Sequence, residues 1–177
     1  MWGVDAGQVS IPRRKYKMKP KIRKPFDGNY PTNMRYGEAF PWYVKIAGYP
    51  HNGEDYGMPD GVSIRACDEG TIIYADNVPD SNGLGINILH NWGISQYWHL
   101  SKLSAILGVK VEKGEVIGLS GHSGWATGPH LHFGVKVREI ENQSMRGWSD
   151  PSLFFESPIV QPNEPPKVEK ICMVRPG

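Results

Sequence analysis

Short runs of alternating apolar and polar residues fill the middle of the chain. Examples are TIIYADN, INILHNWG, ISQYWHLS and HLHFGVKV, which are rich in β-branched and aromatic residues. Turn residues separate such runs at roughly 8–12-residue spacing, which is typical of a sandwich or barrel of short strands. Residues 86–100 are predicted to form a hairpin, and only KLSAILG at 102–108 favours a helix. The pattern therefore predicts an all-β fold with an antiparallel sheet as its core.

The pattern weakens towards both ends of the chain. Residues 25–50 are rich in Pro, Gly and aromatics, and we expect an irregular lead-in with one or two short strands. A length of 177 residues suits one domain with room for terminal arms. We predict a basic N-terminal arm at 1–24, one domain at 25–156 and a Pro-rich extended tail at 157–177.

Charge is spread unevenly along the chain. Residues 1–25 contain eight Lys and Arg but only one acid, Asp5, whereas the whole chain carries a net charge of +2. Such an arm suggests an anionic partner, either a teichoic-acid-like polymer or an acidic protein surface, or else a solvated tail. Nucleic acid also fits the charge, although we do not expect it as a partner of the chain.

The sequence shows neither a membrane span nor a cleaved leader. Its longest apolar runs are too short to cross a bilayer, and no charged start is followed by an apolar stretch. We therefore expect a protein that acts inside the cell or leaves by another route. The two cysteines, Cys67 and Cys172, are expected to be free thiols, although a pairing between them stays open.

Two histidines in the last predicted strand form a candidate metal-binding pair. His130 and His132 are two residues apart in HLHFGVKV, so their side chains project from the same face while Leu131 points into the core. Two exposed polar residues would give the same spacing. The Gly-rich loop GHSGWATGP before the strand leaves space around the rings for a substrate.

A second segment supplies further ligands. His51 and Asp55 lie four residues apart in HNGEDYG, where the glycines allow the chain to fold back. Imidazole nitrogen and carboxylate oxygen suit zinc, and three protein ligands with an open fourth position are typical of a catalytic site. His51, Asp55 and one of the His130/His132 pair give that number, and spacing alone does not decide which. His99, in YWHLS, is a further candidate near the site.

Together these motifs resemble the LytM/lysostaphin-type metallopeptidases, the M23 family. HNGEDYG, YWHLS and GLSGHSGWATGPHLHFGVKV match the family patterns H-x-G-x-D, Y-x-H-L-S and G-x-S-G-x-x-T-G-P-H-L-H-F in order and approximate spacing, over about residues 30–138. The resemblance implies a LytM-like antiparallel sheet, also known as a duplicated hybrid motif, with loops that roof a groove. It assigns the zinc ligands as His51, Asp55 and His132, and the catalytic residues as His99 and His130.

The resemblance also implies an activity. It predicts an endopeptidase that hydrolyses peptide cross-links of bacterial peptidoglycan, in which one zinc ion per chain activates a water molecule and two histidines assist. Because imidazoles protonate near a pKa of ~6.5, activity is expected to fall below about pH 6. The candidate substrate-binding residues, all in the loop before the last strand, are Trp125, His122 and Thr127. Trp125 fits equally well as a buried staple of that loop, and His122 as a surface residue.

Two positions depart from the family pattern, and both keep the ligands intact. Glu54 replaces an apolar residue and is expected to alternate away from the metal and to tolerate solvent. Gly134 stands in HFGV where HFEV is common, so that it replaces an acid. Trp98 is expected to point away from His99, into the core.

Two other functions remain open from the sequence. The chain could be a catalytically silent LytM-like module that binds the cell wall or a partner. Silent members of the family, however, typically lose metal ligands, and this chain keeps them. VKVEKGEVIGLSG resembles half of a lipoyl or biotinyl carrier motif, but no lysine stands at a suitable hairpin tip. For the biological setting we expect a phage enzyme, either carried on the virion or released at lysis, which acts on the bacterial cell wall. Its terminal arms would then contact phage tail or other structural proteins.

Overall fold

The computed structural model describes residues 19–78 and 81–157 as a two-sheet β-structure. In chain order, the strands are β1 (Thr32–Met34), β2 (Glu54–Gly57), β3 (Ser63–Arg65), β4 (Gly70–Val78), β5 (Gly83–Leu89), β6 (Gly93–Leu100), β7 (Lys102–Leu103), β8 (Lys110–Val111), β9 (Val116–Leu119) and β10 (His130–Val137). One α-helix, α1 (Pro41–Ala47), and two 3-10 turns, Gln143–Met145 and Pro151–Leu153, complete the described elements.

The strands form a large sheet and a small one. The large sheet has seven strands in the order β1-β2-β10-β6-β5-β4-β8, and the small sheet has three in the order β3-β9-β7. Every pairing between these strands in the described residues is antiparallel. The predicted antiparallel core is therefore confirmed, and so is the hairpin at 86–100, which is formed by β5 and β6.

A single hydrophobic core joins the two sheets. The large sheet contributes Phe133 and Val135 of β10 and Tyr97 of β6, while the small sheet contributes Ile64 and Ile117. Because side chains alternate along a strand, His130, His132 and Gly134 project from the opposite face of β10. The candidate histidines therefore lie on the face of the large sheet that is turned away from the core.

Two local predictions were wrong. Residues 41–47, expected to be irregular, form α1, which begins at Pro41 and ends at Ala47; the next residue, Gly48, has a left-handed φ of 79°. Proline is well suited to the first turn of a helix and glycine to the position after its last turn. These two residues therefore delimit a short helix, although the apolar residues between them do not recur at helical spacing. The second wrong prediction is the helix in KLSAILG. Its first two residues, Lys102 and Leu103, form β7 and pair with β9, and residues 104–108 are not helical.

The N-terminal and C-terminal ends of the described body meet each other. Ile22 is fully buried, its N–H donates to the carbonyl of Phe154 at 2.9 Å, and it bridges to Phe155. The packed body therefore includes residues that precede the predicted boundary at residue 24. Most of the predicted arm and tail lie outside the described residues, as does Cys172, whereas Cys67 is a buried free thiol. No helix in the described ranges is long and apolar enough to cross a membrane.

Candidate metal centre and groove

Strand pairing brings two of the predicted metal ligands together. In the ladder between β2 and β10, Asp55 lies directly opposite His132. His51 comes just before β2, where its N–H donates to the carbonyl of Glu38 and its Nδ1 lies 3.1 Å from the carbonyl oxygen of Arg35. A carbonyl only accepts, so Nδ1 of His51 carries the proton and Nε2 keeps a free lone pair.

The three side chains converge on one point. Nε2 of His51 lies 2.9 Å from Nδ1 of His132 and 3.1 Å from Oδ1 of Asp55, and Nδ1 of His132 lies 2.9 Å from the same oxygen. The three candidate ligand atoms all lie within 4.8 Å of one another. Two imidazole nitrogens and one carboxylate oxygen are a donor set that zinc accepts. The described residues therefore fit the zinc ion that the motifs imply.

Gly53 makes room for this cluster. A Cβ atom at position 53 would stand 2.4 Å from the carbonyl oxygen of Phe133 and 2.9 Å from Nε2 of His132. Both distances are shorter than side chains tolerate, so only glycine allows β10 to approach this closely. The glycine of the H-x-G-x-D pattern therefore has a packing role at the site.

Burial and hydrogen bonding set the charge states of the cluster. Burial alone would raise the pKa of Asp55, but its interactions with the adjacent His132 and His51 rings outweigh burial and hold that pKa far below its usual range. Burial lowers the pKa of His132, which favours its neutral form. A carboxylate and neutral imidazoles are the protonation states in which these groups bind a metal.

His99 and His130 stand beside the cluster. Their ring centroids are 4.5 Å apart, and Nε2 of His130 lies 3.8 Å from Oδ2 of Asp55. Nδ1 of His99 donates to the carbonyl of Ser123, and Nδ1 of His130 donates to that of Gly128, each at 2.8 Å. In the neutral form of either ring, Nε2 is therefore free to accept a proton.

An unusual backbone conformation turns His99 towards the site. Its φ is 65°, in the left-handed region that few residues other than glycine adopt. The expectation that Trp98 points away from His99 was wrong, because this conformation breaks the alternation of β6. Trp98 and His99 both line the groove, and Trp98 is only 8% exposed.

The pKa of His99 lies below the value that was used to predict the loss of activity in acid. Burial, reinforced by the charges of His130 and His132, lowers the pKa of His99 to about 4. His99 therefore stays neutral well below the pH of about 6 that an ordinary imidazole pKa of ~6.5 suggests.

A groove of about 980 Å³ runs over these residues. One wall is the loop before β10, with Trp125 (62% exposed) and Thr127, so Trp125 is not a buried staple. His122 does not belong to the residues that line the groove. Its Nδ1 instead pairs with the carboxylate of Asp60 at 2.8 Å, and the side chain is 61% exposed. Nothing in this placement supports a substrate contact by His122.

None of the sequence motifs pointed to the opposite wall of the groove or to a polar contact beneath the metal cluster. The wall consists of aromatic and aliphatic residues from α1 and its flanks, namely Phe40, Trp42, Tyr43, Ile46 and Tyr49. The contact is Gln96, whose amide lies 3.0 Å from Nε2 of His132. The clustering of aromatics in PWYVKIAGY is the signal that could have indicated the wall.

Glu54 faces away from the metal cluster, as expected, but it is not exposed to solvent. Its exposed fraction is 8%, and its carboxylate accepts a hydrogen bond from the hydroxyl of Tyr56. Because Tyr56, two residues along the same strand, supplies this hydrogen bond, the acidic side chain of Glu54 can lie at the edge of the core.

Known proteins resemble this chain in sequence and structure. The model of peptidase family M23 matches residues 49–145. The chain is 34% identical over 131 residues to glycyl-glycine endopeptidase ALE-1 of Staphylococcus capitis, which covers 73% of this chain and 34% of that protein. It is 39% identical over 89 residues to peptidoglycan DD-endopeptidase ShyA of Vibrio cholerae, which covers 50% of this chain and 21% of that protein. The catalytic domain of the antimicrobial peptidase lysostaphin from Staphylococcus simulans matches with a TM-score of 0.61 and 33% identity, and the match covers 71% of this chain and 92% of that domain.

The extent of these matches decides what they show. The chain spans about a third or less of the length of the two curated relatives. The match therefore does not by itself assign their activities and substrates to this chain. The family match, however, takes in more than half of the chain and includes the three candidate ligands and both neighbouring histidines. Together with the structural match, it shows that this chain belongs to peptidase family M23, a family of metallopeptidases.

Proposed function

We propose that this chain is a zinc-dependent endopeptidase that hydrolyses peptide cross-links of bacterial peptidoglycan. The observation that carries the proposal is the convergence of His51, Asp55 and His132 beside two further histidines on the floor of an open groove. The printed names of the relatives, a glycyl-glycine endopeptidase and a peptidoglycan DD-endopeptidase, support a peptide bond of the cell wall as the target.

His51, Asp55 and His132 would hold the zinc ion. When bound, zinc lowers the pKa of water and polarises a carbonyl group, which is the chemistry that amide hydrolysis requires. The protein contributes a pre-arranged ligand set, because strand pairing fixes Asp55 against His132 and the Arg35 carbonyl orients His51.

His99 and His130 would move the protons. Their Nδ1 atoms are occupied by backbone carbonyls, so Nε2 of either ring can accept a proton from an attacking water molecule and return it to the leaving amine. The ring that is not used for this transfer can, once protonated, donate a hydrogen bond to the tetrahedral oxygen. The two rings lie in contact, so both reach the same reacting group.

The groove would bind the substrate between two walls. Trp125 and Thr127, which line one side of the groove, and Trp42, which lines the other, would contact the peptide. Exposed tryptophans offer a large apolar surface at low entropic cost, which suits an extended peptide.

Digestion of purified peptidoglycan tests the proposal directly. We expect soluble peptidoglycan fragments with new amino termini, in an amount that depends on zinc and is lost with a chelator. Mass spectrometry of defined cross-linked muropeptides would identify the bond. Absence of new termini with zinc-loaded protein would refute the proposed activity.

A silent module that only binds cell wall or a partner is the alternative function. It would sediment with sacculi and release nothing, whereas the proposed enzyme clears them. The presence of all three ligands and both histidines favours the enzyme. Association with a phage particle through the terminal arms stays a prediction, which proteomics of purified particles would test.

A further inference from the structure

Gln96 is buried beneath the metal cluster and belongs to none of the motifs that indicated the site. It is 5% exposed and lies on β6 directly opposite Gly134 of β10. Its Nε2 lies 3.0 Å from Nε2 of His132, and its Oε1 accepts a hydrogen bond from the indole of Trp98 at 3.2 Å. The amide thus contacts the His132 ring on the nitrogen that does not face Asp55.

Metal binding determines which nitrogen of His132 carries the proton. The nitrogen that faces Asp55 and His51 is Nδ1, and it must be unprotonated to bind a metal. In the neutral ring the proton is then on Nε2, which needs an acceptor because it is buried. Gln96 is the side chain in hydrogen-bonding contact with that atom.

The amide of Gln96 can serve either tautomer. Its oxygen and nitrogen have nearly the same shape, and a half-turn about the last side-chain bond exchanges them. With the nitrogen towards His132, as in the structure, Gln96 donates to Nε2 and leaves the proton on Nδ1. With the oxygen towards His132, Gln96 accepts from Nε2 and leaves Nδ1 free for a metal, at the cost of the hydrogen bond that Oε1 accepts from the indole of Trp98.

We propose that Gln96 is a positioning residue that fixes the metal-binding tautomer of His132 by presenting its amide oxygen to Nε2 when the metal is bound. The inference rests on the proposed metal site. It assigns to Gln96 the outer contact that metal-bound histidines usually make to a carboxylate, carbonyl or water.

Gly134 makes this contact possible. A Cβ atom at position 134 would stand 2.4 Å from Nε2 of Gln96 and 3.0 Å from the carbonyl oxygen of Asn52. Any larger residue would therefore displace the amide. Gly134 is the position where the sequence departs from the acid of HFEV, on the same face as His132. In this chain the polar group next to His132 thus comes from the neighbouring strand, and Gln96 and Gly134 function as a pair.

Two substitutions at position 96 separate this role from packing. Gln96→Leu keeps approximate size and removes the acceptor, so we expect the zinc affinity to fall roughly 10- to 100-fold. Gln96→Glu offers two acceptor oxygens, one for Nε2–H of His132 and one for the indole N–H of Trp98, so zinc affinity should be equal to or higher than that of the wild type. Gln143→Leu, at an exposed position in a 3-10 turn, should bind zinc as the wild type does.

The measurement is competition for zinc with a chromophoric chelator at pH 7.5, on the full chain. Nitrogen-15 NMR of labelled histidine in the metal-free protein gives a second readout: Gln96→Glu, which can only accept, should hold the proton of His132 on Nε2 and leave Nδ1 unprotonated before any zinc is added. If Gln96→Leu does not fold, as judged by its melting curve, the Glu variant and its tautomer decide. Wild-type affinity in Gln96→Leu, or an equal loss in both variants, would overturn the inference.

The outcome is distinguishable from failure of the proposed activity. Zinc affinity is measured without peptidoglycan, so a wild type that binds zinc but creates no new amino termini in peptidoglycan refutes the peptidase activity and leaves the role of Gln96 standing. A wild type that binds no zinc overturns both. Gly134→Ala should weaken zinc binding as Gln96→Leu does, and the double variant should be no weaker than the worse single one because both changes remove the same contact.

Discussion

The imidazole rings of His99 and His130 lie in contact, with centroids 4.5 Å apart, although they come from neighbouring strands of opposite direction. Each ring is oriented by a backbone carbonyl, which no side-chain substitution removes. This contact is specific to the conformation of His99, because regular alternation along β6 would turn its side chain into the core.

Replacement of His99 should separate metal binding from turnover. We choose His99→Asn because asparagine tolerates the left-handed conformation that His99 adopts. Zinc content measured by elemental analysis should stay at the wild-type value, while kcat on peptidoglycan falls roughly 10²- to 10⁴-fold through loss of proton transfer.

Ligand variants provide the comparison for that result. His132→Ala and Asp55→Ala should lose both bound zinc and activity, because each removes one of three converging ligands. If His99→Asn lost zinc to the same extent, His99 would be a ligand rather than a proton-transfer residue.

The sequence predicted the parts of this site that depend on local spacing. Alternation in HLHFGVKV correctly places His130 and His132 on one face, since β10 is a regular strand. It failed for Trp98, because a single residue with positive φ reverses the side-chain pattern and leaves no signal in composition. Gln96 could not be found either, since its role depends on a cross-strand neighbour, Gly134, that lies 38 positions away.

Gly53 should be necessary for metal affinity because it leaves space for His132, and not because it makes the loop flexible. A methyl group at position 53 would stand 2.9 Å from the His132 ring and 2.4 Å from the carbonyl oxygen of Phe133. Gly53→Ala should therefore displace His132 and weaken zinc binding by about tenfold or more, within the range of changes that disturb ligand orientation.

Gly128→Ala is the matched control for Gly53→Ala in the same chelator competition. Gly128 also lines the groove, but a Cβ atom there meets nothing within 4 Å. Equal zinc affinity in the two alanine variants would contradict the packing role of Gly53.

The lowered pKa of His99 predicts a stability change in acid. Its pKa is about 4 in the folded protein, against ~6.5 in the unfolded chain. Between these values the unfolded chain binds a proton that the folded protein does not, so stability falls as the pH drops from 6.5 towards 4. His99 therefore contributes a destabilisation that is absent above pH 7 and amounts to about 2.5 kcal/mol near pH 4.5.

Urea unfolding of chelator-treated protein at pH 7.5 and pH 4.5 measures this contribution. Wild type should lose more free energy of unfolding between the two pH values than His99→Asn, which lacks the titrating ring. The comparison at pH 7.5 corrects for any packing cost of the substitution. Parallel losses in both proteins would show that the pKa of His99 is not lowered by folding.

The aromatic wall on α1 should contribute to substrate binding and little to stability. Trp42 is 56% exposed and lines the groove opposite Trp125, so its truncation leaves the core intact and should change stability by about 0.5 kcal/mol or less. Trp42→Ala should raise KM for peptidoglycan while kcat and zinc content stay near wild type, because Trp42 is neither a proposed ligand nor a proposed proton-transfer residue. Ile106→Ala serves as the control, since Ile106 is 70% exposed and lies outside the groove lining. Initial rates over a range of peptidoglycan concentrations would decide, and the wall would have no role in binding if both variants gave the same KM.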